Sequence, residues 1–183
     1  MSDIADRLWA LLYGAWGSPR RASRMTSRRD YDRKYSDIPE YSFNCDHLAA
    51  HLAGTATYAA TLGAAGTAWA GCKDYDSASE AEILAALAQA GRQGLTAAAI
   101  VMPGNRAHLW TFYDHPYAVA DIRAQLRTIR RTGKGEDYPS GNPIRLPFGY
   151  HQIKHTRGIL ILQDGRRFDL DDPAQLIAGI DAL

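Results

Sequence analysis

The stretch Thr67-Ala-Trp-Ala-Gly-Cys-Lys-Asp-Tyr-Asp76 constrains this chain more than any other. It has no proline, consists of small and aromatic residues, and stops abruptly at Ser77, which reads as a β-strand. Alternate side chains on a strand share a face, so Asp74 and Asp76 project together, roughly 6–7 Å apart at their Cα atoms. Two neighbouring carboxylates repel each other and resist desolvation unless a cation or base neutralises them. Magnesium and manganese favour such oxygen donors. The plainer alternative is that the pair caps the following helix.

The rest of the chain supplies a scaffold for that strand. Residues 2–15 show helical spacing through Ile4, Leu8, Leu11 and Leu12, and residues 46–53 form a second helix carrying His47 and His51 on one face. That histidine spacing occurs in metal sites, but no third ligand accompanies it, so packing or surface placement is expected. The apolar segments 54–60 and 67–76, separated by Gly63 and Gly66, predict an antiparallel pair. Ser77 and Glu80 predict a capping box for a helix through Leu87. Residues 96–102 and 107–113 read as strands around the turn Pro103-Gly104-Asn105, and 136–138 and 143–148 as extended. Asp114 and Pro116 announce a helix running to Gly133, and Asp172-Pro173 starts a last one. Between them, Gly158–Leu162, Asp164-Gly165 and Arg166–Leu170 form a hairpin signal. Strands alternating with helices give an α/β (α+β) class. The expected organisation is an N-terminal helix and basic segment over 1–40, then one unit over 41–183.

Charge narrows the function classes by its distribution, since the formal sum is only +1. Residues 18–34 hold seven basic side chains (Arg20, Arg21, Arg24, Arg28, Arg29, Arg33 and Lys34) against Asp30 and Asp32. Arg123, Arg127, Arg130 and Arg131 form a second concentration on the expected 114–133 helix. Both are expected to be either solvated runs or surfaces for phosphates. Two cysteines, Cys45 and Cys72, make neither a disulfide framework nor a cysteine-rich zinc site. Without a long apolar run or a signal-peptide pattern, the expectation is a soluble, cytoplasmic protein with no membrane partner.

Three blocks follow the aspartates in order: Gly104-Asn-Arg-Ala-His108-Leu-Trp110, Glu136-Asp-Tyr-Pro139, and Gly141-Asn142-Pro-Ile-Arg145-Leu-Pro-Phe-Gly-Tyr-His151. With Asp74-Tyr75-Asp76 they resemble the archaeo-eukaryotic primase superfamily, the primase-polymerases of plasmids, phages and mobile elements. That family shows a D-hydrophobic-D strand end, an SG-x-G-x-H-x-W strand, an E-x-F-P strand and a GN-x-I-(K/R)-LP segment. The resemblance covers roughly residues 46–156, with Pro103 where the family has serine and Arg106 where it has glycine. It implies a primase fold with a mainly antiparallel, RRM-like catalytic sheet flanked by helices. It also implies a template-dependent nucleotidyltransferase, a DNA primase or DNA polymerase acting in DNA replication by two-metal-ion catalysis.

In that reading Asp74, Asp76 and Glu136 hold two Mg²⁺ or Mn²⁺ ions, and His108, Arg106, Asn142 and Arg145 serve the nucleotide. The implied partners are nucleoside or deoxynucleoside triphosphates, a single-stranded DNA template with its primer, and a separate replicative helicase, because no Walker A motif is present. Asp137 is expected to point away from the site. Two alternatives stand beside this: an end-processing repair polymerase of the same fold, and a non-catalytic module that binds single-stranded nucleic acid.

Overall fold

In the computed structural model the described residues are 4–6, 22–25, 36–38, 44–63, 66–151 and 155–183. Among these described residues ten strands pair, antiparallel throughout, into two sheets. The larger has the order β10-β9-β5-β6-β4-β7. Its members are β4 (Thr67–Tyr75), β5 (Thr96–Met102), β6 (Arg106–Ala118), β7 (Asp137–Tyr138), β9 (Ile159–Leu162) and β10 (Arg167–Asp169). The smaller runs β2-β1-β3-β8, with β1 (Ala22–Met25), β2 (Ser36–Ile38), β3 (Thr57–Thr61) and β8 (Pro143–Arg145). Helices α1 (Cys45–Ala53), α2 (Glu80–Arg92), α3 (Val119–Thr128) and α4 (Pro173–Asp181) complete the mixed α/β architecture. Among the described residues no helix is long and apolar enough to cross a membrane.

Strand alternation assigns the two faces of the large sheet. Tyr75, Leu109, Ala97, Ala99 and Ile161 point to one side and pack on α2 (Ile83, Leu87) and α3 (Ile122, Leu126). Gly71 permits the close approach of α3, because a Cβ there would stand 2.7 Å from Ile122 Cγ2. Cys72, Trp110, Ile100, Leu160 and Leu162 point to the other side. They share a core with Tyr58, Ile144, Leu146 and Phe148 of the small sheet and its following loop, and with α1 and α4.

Several local expectations are overturned by longer-range pairing. β3 and β4 do not pair with each other: β3 lies between β1 and β8, while β4 lies between β6 and β7. Both edges of β4 are therefore occupied, and the turn at Gly63 and Gly66 carries the chain from one sheet to the other. Asp114 and Pro116 do not start a helix, since β6 continues through Ala118. The β4–β6 register jumps from Ala70↔Phe112 to Ala68↔Tyr117, so 113–116 bulge opposite Trp69. Pro116 sits where no ladder donor is required, and Tyr113, Tyr117 and His115 stack along the bulge at 4.9 and 4.3 Å. Helix α3 then starts without a side-chain cap, the Val119 amide donating instead to the Gly66 carbonyl at 3.0 Å. It ends at Thr128 rather than Gly133. Helix α2 is capped by Ser79, not Ser77, through the Glu82 amide.

Of the expected N-terminal helix, residues 4–6 are described and helical. Within the basic segment, 22–25 form β1 of the small sheet. Helix α1 places His51 wholly inside the core, as packing rather than metal ligation requires. Its Nε2 donates to the Leu146 and Pro147 carbonyls at 3.1 and 3.2 Å, and its Nδ1 accepts from the Tyr58 amide at 3.0 Å. One ring thereby ties α1 to β3 and to the loop after β8. A Cβ at Gly149 would fall on that ring.

Candidate active site

The C-terminal end of β4 brings the predicted residues together. Asp74 stands in register with His108 of β6, which stands in register with Ile100 of β5. On the other edge the Asp74 amide donates to the Glu136 carbonyl at 2.8 Å, and the Asp76 amide to Lys134 at 3.0 Å. Cys72↔Tyr138 and Lys73↔Asp137 continue that ladder, so Glu136 stands opposite Asp74. Gly135 makes this approach feasible: its φ is +147°, and a Cβ would meet the Asp74 carbonyl. Residues 134–136 thus extend the sheet edge beside the aspartates although β7 itself has only two residues.

The carboxylates differ in their surroundings. Burial first, then the charge of Asp76, pushes the Asp74 carboxyl up to about 6, against the pull of Arg106, Arg131 and Arg145. Asp76 is exposed and has the Arg106 guanidinium at 3.9 Å. Glu136 accepts from Asn142 Nδ2 at 2.8 Å and from the Tyr138 hydroxyl at 3.1 Å. Burial works to raise its pKa, but hydrogen bonds from Ser140, Asn142 and Tyr138 outweigh that and hold it below the usual value.

His108 Nε2 lies 3.5 Å from Asp74 Oδ1. Burial, then the charges of Arg145, His151 and Arg106, pulls its pKa down to about 3, so the ring is neutral and the contact is not an ion pair. Its edge meets Trp110 at a centroid distance of 6.4 Å. Arg145 extends from β8 to the Met102 sulfur, at the β5 end of the turn leading to His108. That turn is held to the strand end by the Ala78 amide, which donates to the Asn105 carbonyl at 2.7 Å.

Among the described residues, no three His, Cys, Asp or Glu side chains are gathered closely enough to hold one ion. Asp74 turns to His108, Asp76 to Arg106 and Glu136 to Asn142. The donor chemistry still fits a hard divalent cation: oxygen ligands only, on adjacent backbone segments, with one carboxyl raised by burial and then by its neighbour's charge. Glu136 would exchange its Asn142 and Tyr138 bonds for the ion.

Asp137 points away from this group, as expected, and binds Lys73 at 2.9 Å and Arg131 at 2.6 Å. Arg131 is among the arginines expected to meet the template. The residue follows α3 rather than riding on it, and its guanidinium is turned inward to Asp137 and the Asp74 carbonyl. Arg127 and Arg130 are exposed and Arg123 is half-buried. Arg20, Arg21, Arg28 and Arg29 lie outside the described residues, and Arg24 falls within β1. Sequence reasoning missed Lys73, Tyr138 and Gly135. Their position beside the acids in the chain was the available signal, since strand alternation makes every neighbour of a site residue a candidate for its rear support.

No protein-family model matches the chain, and no curated protein matches it. Among solved structures it matches the polymerase domain of Mycobacterium tuberculosis Ligase D in complex with DNA. The TM-score is 0.53 at 14% sequence identity, covering 99% of this chain and 87% of that one. The chain shares its fold with a polymerase domain. The antiparallel large sheet with its flanking helices is the architecture expected from the motif order.

Proposed function

We propose that the chain is a template-dependent nucleotidyltransferase of the archaeo-eukaryotic primase type, adding nucleotides to a strand on single-stranded DNA. One observation carries the reading: His108, Asp74 and Glu136 lie in a single cross-strand row, in a fold shared with a DNA polymerase domain. Asp74, Asp76 and Glu136 would hold two Mg²⁺ or Mn²⁺ ions, which supply charge neutralisation and activation of the attacking 3′-hydroxyl when bound. Asn142 and Tyr138 orient the Glu136 carboxylate. Neutral His108 braces Asp74 and offers a hydrogen bond rather than a charge to the incoming nucleotide. Arg106 and Arg145 bring permanent positive charge to the same strand ends, where a triphosphate would be held. The exposed Arg127 and Arg130, with Arg123, would hold template phosphates without reading sequence.

The test is nucleotide incorporation on single-stranded DNA with manganese or magnesium, with and without a labelled primer, supplied with ribo- or deoxyribonucleotides. Incorporation that Asp74→Asn abolishes supports the proposal, and product without primer assigns initiation as well. DNA binding without incorporation under every combination would overturn it in favour of a binding module.

A further inference from the structure

Lys73 and Asp137 are the chain neighbours of two site acids, Asp74 and Glu136, and stand directly opposite each other in the β4–β7 ladder. Strand alternation sends them to the opposite face, toward α3. The Lys73 side chain is 3% exposed, and its Nζ donates to Asp137 Oδ1 at 2.9 Å and to the Leu126 carbonyl at 3.0 Å. Arg131 Nη1 donates to the same Asp137 oxygen at 2.6 Å and to the Asp74 carbonyl at 3.2 Å. A single carboxylate therefore binds two cations, one of which also grips the backbone of the opposing acid.

Such a triad is a weak source of net stability, because desolvating the charges offsets most of their attraction, but buried ion pairs can fix geometry. Geometry is what this place requires. β7 is two residues long, and so short a ladder specifies its own register poorly. Tyr138 anchors it on the site face by entering the core, and the triad ties it from behind. We propose that Lys73, Asp137 and Arg131 are positioning residues that clamp β7 to β4 from the rear, holding Glu136 opposite Asp74. The clamp deepens the proposed function, and rests on it only in calling those acids catalytic.

Amide hydrogen exchange tests the clamp without any activity. The Asp74 and Asp76 amides donate to the Glu136 and Lys134 carbonyls, so their protection reports whether the segment is docked. Asp137→Asn is expected to lower protection at both amides about tenfold or more while the central-strand amide of Leu109 keeps its own. Unchanged protection would overturn the proposal. So would a uniform fall across the large sheet, which marks a general structural role.

If Asp137→Asn does not fold, the triple variant Lys73→Met, Arg131→Met, Asp137→Leu replaces the triad by apolar volume. Selective loss at Asp74 and Asp76 again supports the clamp, and retained protection overturns it. In primer extension the folded variant is expected to lose about tenfold in kcat with the nucleotide KM unchanged. An unchanged kcat with loosened amides would overturn the positioning role. If the native protein incorporates no nucleotide, the functional proposal fails while the exchange result still decides the clamp.

Discussion

Lowering the pH should unlock the segment that presents Arg145, and His51 sets the size of the effect. The buried ring donates through Nε2 to Leu146 and Pro147 and accepts at Nδ1 from the Tyr58 amide. Protonation would place a hydrogen where that amide already points. Burial, then the charges of Arg145 and Arg157, pulls the ring down to about 4. The unfolded chain titrates near the ordinary value of about 6.5.

For a base with a lowered folded pKa, the unfolded chain takes up the proton first. The stability held by the neutral ring is therefore present above about pH 7 and lost as pH falls from 6.5 toward 4. Linkage puts the loss between pH 7.5 and 4.5 at about 2–3 kcal/mol. Urea unfolding of the native chain and of His51→Leu at both pH values isolates it from His108, which shifts in the same direction. At pH 7.5 His51→Leu should be less stable by about 3–5 kcal/mol, because two carbonyls and an amide lose their partner. Its further loss on acidification should be smaller than the native chain's by about 2–3 kcal/mol. Equal losses in the two proteins would refute the reasoning.

Asp74→Asn should abolish incorporation yet raise stability at pH 8 in EDTA by up to about 3 kcal/mol, read by urea unfolding, because a carboxyl raised to about 6 is charged there at a cost. Gly135→Ala should destabilise by about 2 kcal/mol and sharply reduce incorporation, since the new methyl meets the Asp74 carbonyl; a melting curve and a primer-extension rate check both. Replacing Arg123, Arg127 and Arg130 by alanine should weaken single-stranded DNA binding. It should also flatten the salt dependence by about 0.7 in log–log slope for each phosphate no longer neutralised, measured by fluorescence anisotropy across a salt series.

Much of the fold was legible because its signals are local. Asp172-Pro173 caps α4, and the Asp164-Gly165 turn joins β9 to β10, where cap and turn chemistry agree with burial. The failures share one physical cause. At β3 and β4 the sequence shows two apolar runs beside a glycine turn, but which edges pair depends on β1, β8, β6 and β7, all distant in sequence. At Asp114-His-Pro the turn chemistry is outweighed by an aromatic stack and a bulge that removes the demand on the proline nitrogen. His51 carried no mark of burial beyond its helical spacing, because its three partners lie on β3 and on the loop after β8.

The candidate site was legible for a different reason: its acids sit on strands, where a period of two converts spacing directly into facing. The same period explains the residues that motif order could not rank. In Lys73-Asp74 and Glu136-Asp137 each site acid has a charged neighbour, and alternation sends those neighbours to the back of the sheet. There the triad carries two positive charges against one negative, held away from water behind Asp74. Arg131 lowers the Asp74 carboxyl that burial and Asp76 raise, so the rear of the sheet partly offsets the repulsion gathered at its front. Each strand therefore places a site acid on one face and a member of the triad on the other. Asp74 and Glu136 can then face each other in the row they share with His108, ready for a cation, with Asp76 beside them against Arg106.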